Sequence, residues 1–478
     1  MPPTHLEPYP AYKDSGVPWL GQIPAHWDLV PNRTLVRRRK TLVGDRHENY
    51  KLLSLTKQGI IVRDLTNLQG KFSADLGTSQ EVRPGDLVFC LFDVPETPRT
   101  VGLSQHWGMI TSAYTVFESL GRCSERFFEL FYIAMDDRKL LSPLYSGLRN
   151  TIPPSVFLQT KTPIPPLPEQ HAIARFLDHF DRRVNRFIRA KRQLIALLNE
   201  QKQAIIHRAV TRGLNPDAPL KPSGVAWLGE IPEHWEVVRL KYMADVQTGI
   251  TLGKNYRTAQ LKEYPYLRVA NVQDGFLNLT NVKTLYLPPQ EAAGSLLQAG
   301  DVLMTEGGDI DKLGRGYIWQ NEIPNCLHQN HIFAVRANQK RLLPDYLVAL
   351  MTSKYGRSYF QLTAKQTTNL ASTNTTTLRA LQVPLPSLTE QQAILDIIQL
   401  EASGFDSAIN QAQRQISLIR EYRTRLIADV VTGKLDARAA AAGLAAEVGE
   451  EDAWLEGEAA GDDEEAQDEP LAPEPDAD

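Results

Sequence analysis

Residues 15–27 read SGVPWLGQIPAHW and residues 223–235 read SGVAWLGEIPEHW, so ten of thirteen positions are identical at an offset of 208 residues. A second pair follows the same logic, because PIPPLPEQHAI (163–173) returns as PLPSLTEQQAI (384–394) at an offset of 221. Solenoid repeats are far shorter, at about 20–50 residues. The sequence therefore predicts a duplicated domain, in which two similar framing segments enclose each of two dissimilar variable stretches.

Length and composition set the broad class of the chain. Its 478 residues exceed what one hydrophobic core usually organises and predict two to four domains. The three cysteines are far apart and odd in number, which argues against a disulfide framework and favours a reducing compartment. The sequence shows no signal-like start and no run of about 18 apolar residues, so we expect a cytoplasmic protein.

The net charge of -4 averages two very different regions. Residues 447–478 hold fifteen of the 56 acidic residues and none of the 52 basic ones, so residues 1–446 carry a formal charge of +11. A basic body with an acidic tail is typical of a nucleic-acid binder. The Ala, Glu, Asp and Pro content of the C-terminal segment predicts disorder over 438–478. This tail is either a solubilising appendage or an internal competitor for the basic surface.

Apolar residues after each second framing segment repeat with heptad spacing. Eight of ten such positions are apolar from Ile173 to Ile205, and eight of ten again 221 residues later. The pattern predicts two coiled-coil helices of about 40 residues, or roughly 60 Å each. The alternative is two ordinary amphipathic helices on separate cores. The predicted contact stripe consists of Ile173, Leu177, Phe180, Val184, Phe187, Leu194, Leu198, Ile205, Ile394, Ile398, Phe405, Ile419, Tyr422 and Leu426.

Residues at the helix ends agree with this prediction. Pro168 suits a first turn, Thr389 with Gln392 has capping-box spacing, and Gly213 and Gly433 stand where C-terminal glycines are expected. The linker that follows the first helix spans at most about 30 Å, so the second helix can pack on the first only by running back. We therefore expect an antiparallel pair.

The predicted fold class is α+β, with two α/β variable domains joined by two long antiparallel coiled-coil helices in pseudo-twofold symmetry. Duplex DNA has pseudo-twofold axes of its own. Two unlike readers predict a bipartite, asymmetric target whose spacer is set by the helices. The predicted segments are an N-terminal arm (1–14), the first domain (15–162), helix 1 (163–213), a linker (214–222), the second domain (223–383), helix 2 (384–437) and the tail (438–478).

The framing segments, with EQHAI and EQQAI at the start of the helices, resemble the specificity subunit of type I restriction-modification systems, over residues 15 to about 437. The second variable domain resembles this family more closely, in YPYLRVANVQDG (264–275), GGDIDKLGRG (307–316) and HQNH (328–331). In the first domain, LSLTKQG (53–59) and RPGDLVF (83–89) correspond more loosely.

The resemblance implies that each variable stretch is a target recognition domain that reads half of a split DNA sequence. It also implies a subunit without catalytic activity and without a cofactor of its own. The implied partners are double-stranded DNA, two modification subunits that methylate adenine with S-adenosylmethionine, and, through them, restriction subunits that use ATP and magnesium.

A search for catalytic motifs agrees with that implication. The chain contains no G-x-x-x-x-G-K-[ST] phosphate loop, no glycine-rich S-adenosylmethionine loop and no N/D-P-P-aromatic tetrad. Cys326, His328 and His331 match no zinc spacing and are interpreted as strand residues that face a groove or the core.

Two other functional classes stay open. In the first, a variable domain is itself a metal-dependent nuclease, fed by Asp301, Glu306 and Asp309, although turn residues around Gly307 and Gly308 are the preferred interpretation. In the second, the chain is a purely structural two-headed adaptor.

DNA bases are read by Arg or Lys toward guanine and by Asn or Gln toward adenine, with further cations on the phosphates. Candidates in the first domain are Arg33, Arg37, Arg38 and Lys40 for phosphates, with Lys57, Gln58, Arg99, Arg149 and Asn150. Candidates in the second domain are Lys254, Arg257, Asn271, Gln273, Arg315, Gln329, Asn330, Lys365, Gln366 and Asn369. Four tryptophans of the framing segments are interpreted as core anchors: Trp19, Trp27, Trp227 and Trp235.

Overall fold

The computed structural model describes residues 6–63, 76–253, 260–273, 275–308, 310, 313–314, 316–366 and 371–444. Six predicted sites or segments lie outside the described residues: Lys254, Arg257, Asp309, Arg315, Asn369 and the tail from 445 onward. The chain divides into two compact units, with Met1–Arg189 and Gln415–Asp478 in unit 1 and Ala190–Arg414 in unit 2.

The helices and strands follow in chain order. The helices are α1 (Glu125–Asp137), α2 (Pro154–Gln159), α3 (Leu167–Arg212), α4 (Pro289–Ala293), α5 (Pro344–Thr352), α6 (Lys354–Thr363), α7 (Thr375–Ala380), α8 (Leu388–Val431) and α9 (Arg438–Gly443). The strands of unit 1 are β1 (Tyr12–Asp14), β2 (Gln22–Pro24), β3 (Asp28–Pro31), β4 (Val36–Arg39), β5 (Lys51–Thr56), β6 (Gly59–Val62), β7 (Gln80–Val82), β8 (Leu87–Phe89), β9 (Val101–Leu103), β10 (Gly108–Ile110), β11 (Thr115–Ser119) and β12 (Lys161–Ile164). Those of unit 2 are β13 (Leu220–Pro222), β14 (Glu230–Pro232), β15 (Glu236–Arg239), β16 (Ala244–Thr248), β17 (Lys262–Leu267), β18 (Lys283–Leu287), β19 (Val302–Thr305), β20 (Gly307–Gly308), β21 (Gly316–Ile318), β22 (Leu327–His328), β23 (Ile332–Ala337), β24 (Lys365–Gln366), β25 (Ala371–Ser372) and β26 (Gln382–Leu385).

The two variable stretches share the topology of their four-stranded antiparallel sheet despite their dissimilar sequences, and unit 2 adds a small sheet of order β20-β25-β24. Unit 1 contains an antiparallel sheet of order β4-β11-β8-β9, and unit 2 contains an antiparallel sheet of order β16-β23-β19-β21. A second sheet in each unit has a single parallel pair, β5 with β10 and β17 with β22. Because most pairings are antiparallel, the predicted α/β description of each domain is wrong, while α+β fits the chain.

The repeat begins earlier than the matching letters do. Strand β1 pairs with β2 as Tyr12 with Pro24, and β13 pairs with β14 as Leu220 with Pro232, again at an offset of 208 residues. The segments predicted as an N-terminal arm and a linker therefore each contribute the first strand of a hairpin. Their sequences differ because β1 and β13 are short and largely exposed, so pairing depends on the backbone alone.

Aromatic side chains of the framing segments are buried unequally. Trp27 and Trp235 are fully buried, which confirms them as core anchors, and Trp19 is half-buried. Trp227 is 45% exposed and lies over Tyr359, with ring centroids 6.4 Å apart. The core-anchor prediction is wrong for Trp227, because its ring covers the core from outside.

The two long helices are confirmed, and their ends are well marked. They contain 46 and 44 residues, or roughly 69 and 66 Å. Gly213 and Gly433 have φ values of +71° and +77°, as the left-handed C-terminal position requires. The predicted cap at Thr389 is wrong by two residues, because the hydroxyl of Ser387 accepts the backbone N–H of Glu390 at 3.2 Å.

Burial along α3 and α8 does not follow the predicted heptad. Phe187 and Leu194 are 39% and 40% exposed, whereas Ile188 and Ile416 are buried. Tyr422 is 38% exposed but contacts Phe180 of the facing helix, as predicted. A heptad drifts by about 20° per repeat on a helix of 3.6 residues per turn, whereas an eleven-residue repeat hardly drifts. The inward positions recur every eleven residues, as Ile173, Val184, Ile195 and Ile206 in α3 and, 221 residues later, as Ile394, Phe405, Ile416 and Ile427 in α8.

The remaining members of the predicted stripe divide by burial. Leu177, Phe180 and Leu426 are buried, as the prediction requires. Leu198, Ile205, Ile398 and Ile419 are half-buried.

Within unit 1, the first half of α3 and the last half of α8 run antiparallel. The rings of Phe180 and Tyr422 lie 5.8 Å apart, and the Asp181 carboxylate is 2.5 Å from the Arg423 guanidinium. Nearer the ends, a Cβ on Gly433 would overlap Pro24, which lies in β2.

Within unit 2, the last half of α3 and the first half of α8 also run antiparallel. Lys202 Nζ lies 2.6 Å from the Asp406 carboxylate, and Gly213 lies beside Glu390.

Ordered structure continues past the predicted start of the tail. Helix α9 covers part of that segment, and Ala437 and Ala441 are buried, so disorder from 438 is wrong for these first residues. No helix of the described chain is long and apolar enough to cross a membrane. Cys90, Cys123 and Cys326 are free thiols and all buried.

Candidate nucleic-acid interface

The framing segments meet at a carboxylate that we call the frame clamp, formed in unit 1 by His26, Trp27 and Glu169. Trp27 Nε1 donates a hydrogen bond to Glu169 Oε1 at 2.9 Å, and His26 Nε2 lies 2.8 Å from Glu169 Oε2. The Tyr9 hydroxyl donates a third bond to the same carboxylate at 2.7 Å. Since Glu169 lies in the first turn of α3, the clamp fixes the first framing segment to the start of that helix.

Unit 2 repeats the frame clamp with His234, Trp235 and Glu390. Trp235 Nε1 donates to Glu390 Oε1 at 3.0 Å, and His234 Nε2 lies 3.0 Å from Glu390 Oε2. Next to each clamp a strand pair, β3 with β12 and β15 with β26, closes the base of the variable domain. Contacts between the repeated His-Trp pair and the repeated glutamate therefore explain why these residues recur, because they seat the domain on its helix.

Strand β4 is an edge strand of unit 1 that carries Arg37 and Arg38, two of the four residues of the predicted phosphate-binding cluster. Arg37 is paired with Glu118 at 2.5 Å, so its charge is partly neutralised. Arg38 and Lys40 are exposed, and neither forms an ion pair within the described residues. Arg33 is also exposed, on a short 3-10 helix just before this strand. Arg33, Arg38 and Lys40 thus remain accessible to phosphates.

The other candidates of unit 1 lie on loops. Lys57 and Gln58 are exposed at the tip of the β5–β6 hairpin. Arg149 Nη2 lies 2.7 Å from Asp93 Oδ2.

Two further candidates lie near that arginine. Arg99 is held by Asp137 at 3.2 Å, and Asn150 has a positive φ of 44°. The loop 91–100 therefore brings Arg99 and Arg149 to one region, while Lys57 and Gln58 lie on a separate hairpin.

Asn271 in unit 2 is not available to read a base. Its Oδ1 accepts from the backbone N–H of Arg268 at 2.8 Å, and its Nδ2 donates to the carbonyl of Asn278 at 2.8 Å. The side chain is buried, so this DNA-contact prediction is wrong. Asn is favoured in turns because its amide replaces backbone partners, and that role accounts for the residue here. Gln273 is exposed, with Nε2 donating to a nearby carbonyl at 2.8 Å.

The structure brings two candidate pairs of unit 2, 329–330 and 365–366, to one surface. Backbone hydrogen bonds connect the segments that carry these pairs. Glu306, just after the end of β19, donates its N–H to the carbonyl of His331 at 2.9 Å, and the N–H of Thr373 donates to the carbonyl of Glu306 at 2.8 Å. Strand β25, just before Thr373, pairs with both β20 and β24. Residues 365–366 are exposed and residues 329–330 are half-buried. We call this surface the unit 2 polar surface.

Cys326, His328 and His331 lie in different surroundings. Cys326 and His328 are buried, as predicted for core residues, but only His328 lies in a strand. The strand prediction is wrong for Cys326 and His331. His331 is exposed and lies 2.5 Å from the Glu306 carboxylate. Across the part of the chain that is described, no group of three His, Cys, Asp or Glu residues could hold a metal ion.

His328 and Asp301 are buried and contact protein groups, which favours a structural role for both. His328 Nδ1 lies 3.2 Å from the carbonyl oxygen of Ser295, and burial lowers the pKa of the imidazole to about 4. Asp301 is buried against Arg336, with 2.7 Å between the charged groups.

The sequence analysis missed the outer surface of α3 in unit 1, which we call the basic face: Arg175, Arg182, Arg183, Arg186 and Arg189. The signal was present in RRVNRFIRAKR (182–192), which contains six Lys/Arg and no Asp/Glu.

Comparison with known families decides the assignment. A model described as the type I restriction modification DNA specificity domain matches residues 111–197 and 232–416. The chain belongs to this family. The two matched regions include most of α3 and α8 and nearly all of the second variable domain.

Similar relatives are specificity subunits. The putative type I restriction enzyme MjaX specificity subunit of Methanocaldococcus jannaschii is 28% identical over 207 residues, or 43% of this chain. That match spans about half of the relative, 47% of its length. The type I restriction enzyme EcoKI specificity subunit of Escherichia coli (strain K12) is 23% identical over 441 residues, covering 87% of this chain and 91% of the relative.

A solved structure supports the fold. It comes from work on complex assembly and conformational transition of the type I R-M system, and its chain matches with a TM-score of 0.61 at 15% identity. The match covers 86% of this chain and 99% of that chain.

Proposed function

We propose that this specificity-family chain is the DNA-recognition subunit of a type I restriction-modification complex, and that each variable domain reads one half of a bipartite, asymmetric target. One observation carries the proposal: both units have the same main sheet topology and the same frame clamp, but their exposed polar side chains differ. A repeated scaffold supplies the same docking geometry twice, and unlike polar loops supply two specificities.

The candidate reading groups differ between the units in kind and in place. Unit 1 offers the hairpin tip 57–58, Arg99 of the loop 91–100 with the neighbouring Arg149, and the accessible cations on and next to β4. Unit 2 offers the unit 2 polar surface, which is rich in amides. Amide side chains favour adenine and Arg or Lys favour guanine, so two different half-sites follow.

The two long helices are proposed to form an antiparallel, coiled-coil-like pair with pseudo-twofold symmetry that sets the spacer between half-sites. Support comes from their nearly equal lengths of 46 and 44 residues and from inward positions that match at an offset of 221. The spacer itself would not be read.

Catalysis is proposed to lie in partner subunits. Two modification subunits would methylate adenine with S-adenosylmethionine, and restriction subunits bound through them would use ATP and magnesium, all in the cytoplasm. This chain would supply sequence choice alone. Support comes from the family assignment and from relatives that are specificity subunits of type I restriction enzymes.

Mapping methylated adenines tests the proposal in cells that contain the chain and its modification subunits. We expect a split, asymmetric motif. Replacing residues 223–383 with the corresponding domain of a relative should change one half of the motif and leave the other half and the spacer unchanged. A control chain with its own domain re-inserted across the same junctions should retain the original motif. Methylation without a sequence motif, or a swap that alters both halves, would contradict the proposal.

A further inference from the structure

The basic face of α3 is a charged surface with no assigned role. Arg175, Arg182, Arg186 and Arg189 are spaced by seven, four and three residues, which places them on one side of a helix. These arginines lie on the opposite side of the helix from the buried positions. Arg175 is two residues after Ile173 and Arg186 is two residues after Val184, or about half a turn around the helix axis. The face therefore points away from the packed side of the helix.

The acidic residues near this face are already engaged. Asp178 is 2.7 Å from Arg126, and Asp181 is 2.5 Å from Arg423. By contrast, Arg175, Arg182 and Arg183 are exposed and form no ion pair within the described part of the chain. These three arginines thus carry positive charge that no described residue of unit 1 neutralises.

The end of the described chain lies beside the start of the same helix. The Arg438 guanidinium of α9 is 5.2 Å from the centroid of the Tyr9 ring, and the Tyr9 hydroxyl bonds Glu169 at 2.7 Å. Six residues of α9 add about 9 Å. The chain therefore leaves the described region at Leu444 within reach of the first turns of α3, in the same unit.

The charges and lengths of the two segments match. Along α3 the basic face extends from about 9 to about 30 Å beyond Glu169, at 1.5 Å per residue. Residues 445–478 hold fifteen Asp/Glu and no Lys/Arg, and the densest acidic run, DDEE (462–465), begins 18 residues after Leu444. The root-mean-square length of an 18-residue random coil is about 21–25 Å, which is comparable with the roughly 20 and 26 Å along α3 from Glu169 to Arg182 and Arg186.

We propose that the acidic segment 445–478 binds the basic face of α3 in the same chain. Tethering at this spacing gives an effective concentration near the millimolar range, so weak individual ion pairs suffice for occupancy. The bound segment shields the basic face from other polyanions, including non-specific DNA. The contact is electrostatic and therefore weakens as salt shortens the Debye length.

Photo-crosslinking of the full chain tests the proposal directly. Glu464 is replaced by p-benzoylphenylalanine, the protein is irradiated at about 50 mM and about 500 mM salt, and the crosslinked peptides are mapped by mass spectrometry. We expect crosslinks that concentrate on residues 171–189 and fall by about fivefold or more at the higher salt.

A charge-matched pair of variants separates the basic face from net charge. Arg175→Gln, Arg182→Gln and Arg183→Gln together should abolish the crosslinks to α3. Lys13→Gln, Lys161→Gln and Arg420→Gln remove the same charge from exposed positions elsewhere in unit 1 and should leave the crosslinks in place. Circular dichroism melting confirms that both triple variants are folded.

Three results would overturn the proposal: crosslinks spread over the molecule, equal loss in the two triple variants, or crosslinks that join two different chains in a mixture of isotopically light and heavy protein. Should the basic-face variant fail to fold, the salt series and the crosslink map of the unsubstituted chain still decide the question.

Discussion

The two long helices occupy equivalent places in the duplicated chain and differ most where they are exposed. Helix α3 contains ten Lys/Arg and four Asp/Glu, whereas α8 contains four Lys/Arg and six Asp/Glu. Their inward positions nevertheless correspond at a constant offset of 221 residues. The two helices therefore agree in the residues that pack inward and differ in those that meet solvent, so the outward residues distinguish the units.

The frame clamps show the same rule with a difference in burial. The Glu169 side chain is 5% exposed and accepts bonds from Tyr9 and Trp27 beside His26, while the Glu390 side chain is 26% exposed and contacts only His234 and Trp235 among the hydrogen bonds described. Burial together with the hydrogen bond to Glu169 raises the pKa of Tyr9 above its usual range. Glu169 thus accepts hydrogen bonds from two buried side chains, Tyr9 and Trp27, whereas Glu390 accepts one from a buried side chain, Trp235.

The clamp comparison predicts the largest effect. Glu169→Ala leaves the Tyr9 hydroxyl and the Trp27 indole N–H buried without an acceptor, at about 1–3 kcal/mol each, so unit 1 should lose roughly 3–5 kcal/mol of unfolding free energy. Glu390→Ala should cost unit 2 about 1–3 kcal/mol, because only one of its partners, Trp235, is buried, whereas His234 is exposed and can bond to water. Hydrogen exchange followed by mass spectrometry resolves the two units in one sample. Equal losses in both variants would show that burial does not govern the clamps.

A second difference concerns equivalent strands in the cores of the two variable domains. His328 on β22 pairs in register with Leu267 of β17, and Met109 on β10 pairs in register with Leu52 of β5. Both side chains are buried. Unit 2 therefore contains a titratable group where unit 1 has a thioether.

The histidine predicts that unit 2 is the acid-sensitive unit. Burial lowers the pKa of His328 from 6.5 to about 4, so below about pH 6.5 the unfolded chain binds a proton that the folded chain does not bind. The contribution of neutral His328 is intact at pH 7 and is lost as the pH falls toward 4, by about 3 kcal/mol in total. His328→Met should remove this dependence and leave unit 1 unaffected. A variant that loses as much stability between pH 7 and 4.5 as the original chain would disprove the assignment.

The sequence predicted the duplication and the long helices because both depend on contacts that leave regular patterns. Identical framing letters reflect the clamp, in which Trp27 and Glu169 must remain partners across the framing segments. The heptad was wrong because ten positions cannot separate a seven-residue from an eleven-residue repeat until burial shows that Ile188, and not Phe187, faces inward.

The candidate reading residues were less predictable because they lie on loops. Asn271 had the residue type that adenine needs, yet its amide caps a short turn, a distinction that depends on backbone geometry. The shared topology of the variable domains was also beyond the sequence, since strand pairing tolerates many side chains. The basic face of α3 was readable as a charge run, and no pattern of apolar residues points to it.

A third prediction compares the reading surfaces. If Gln329 and Lys57 contact bases, each alanine substitution should cost about 1–3 kcal/mol of discrimination at one position. Gln329→Ala should relax one half of the methylated motif and Lys57→Ala the other half, with the spacer unchanged. Gln392→Ala, at an exposed position of α8, is the matched control and should change neither half. Relaxation of both halves by a single substitution would refute separate reading by the two units.

The smallest predicted effect returns to the two helices. Removing residues 447–478 takes fifteen negative charges from a body of +11, so affinity for non-specific DNA should rise by about two- to fivefold at moderate salt and fall more steeply as salt increases. In the truncated chain, Arg182→Gln with Arg183→Gln on α3 should reverse most of that gain, because these side chains point to solvent without an ion pair in the described region. Arg420→Gln with Arg425→Gln on α8 removes the same charge and should reverse less of the gain, since that helix carries more acidic than basic residues.

Fluorescence anisotropy with random-sequence duplexes across a salt series measures the affinity and its salt dependence for each variant. The methylated motif should stay the same throughout, because phosphate contacts position a protein on DNA without reading it. If truncation instead weakens binding to the specific target, the acidic tail takes part in recognition. The charge of the tail would then not be explained by the basic face of α3.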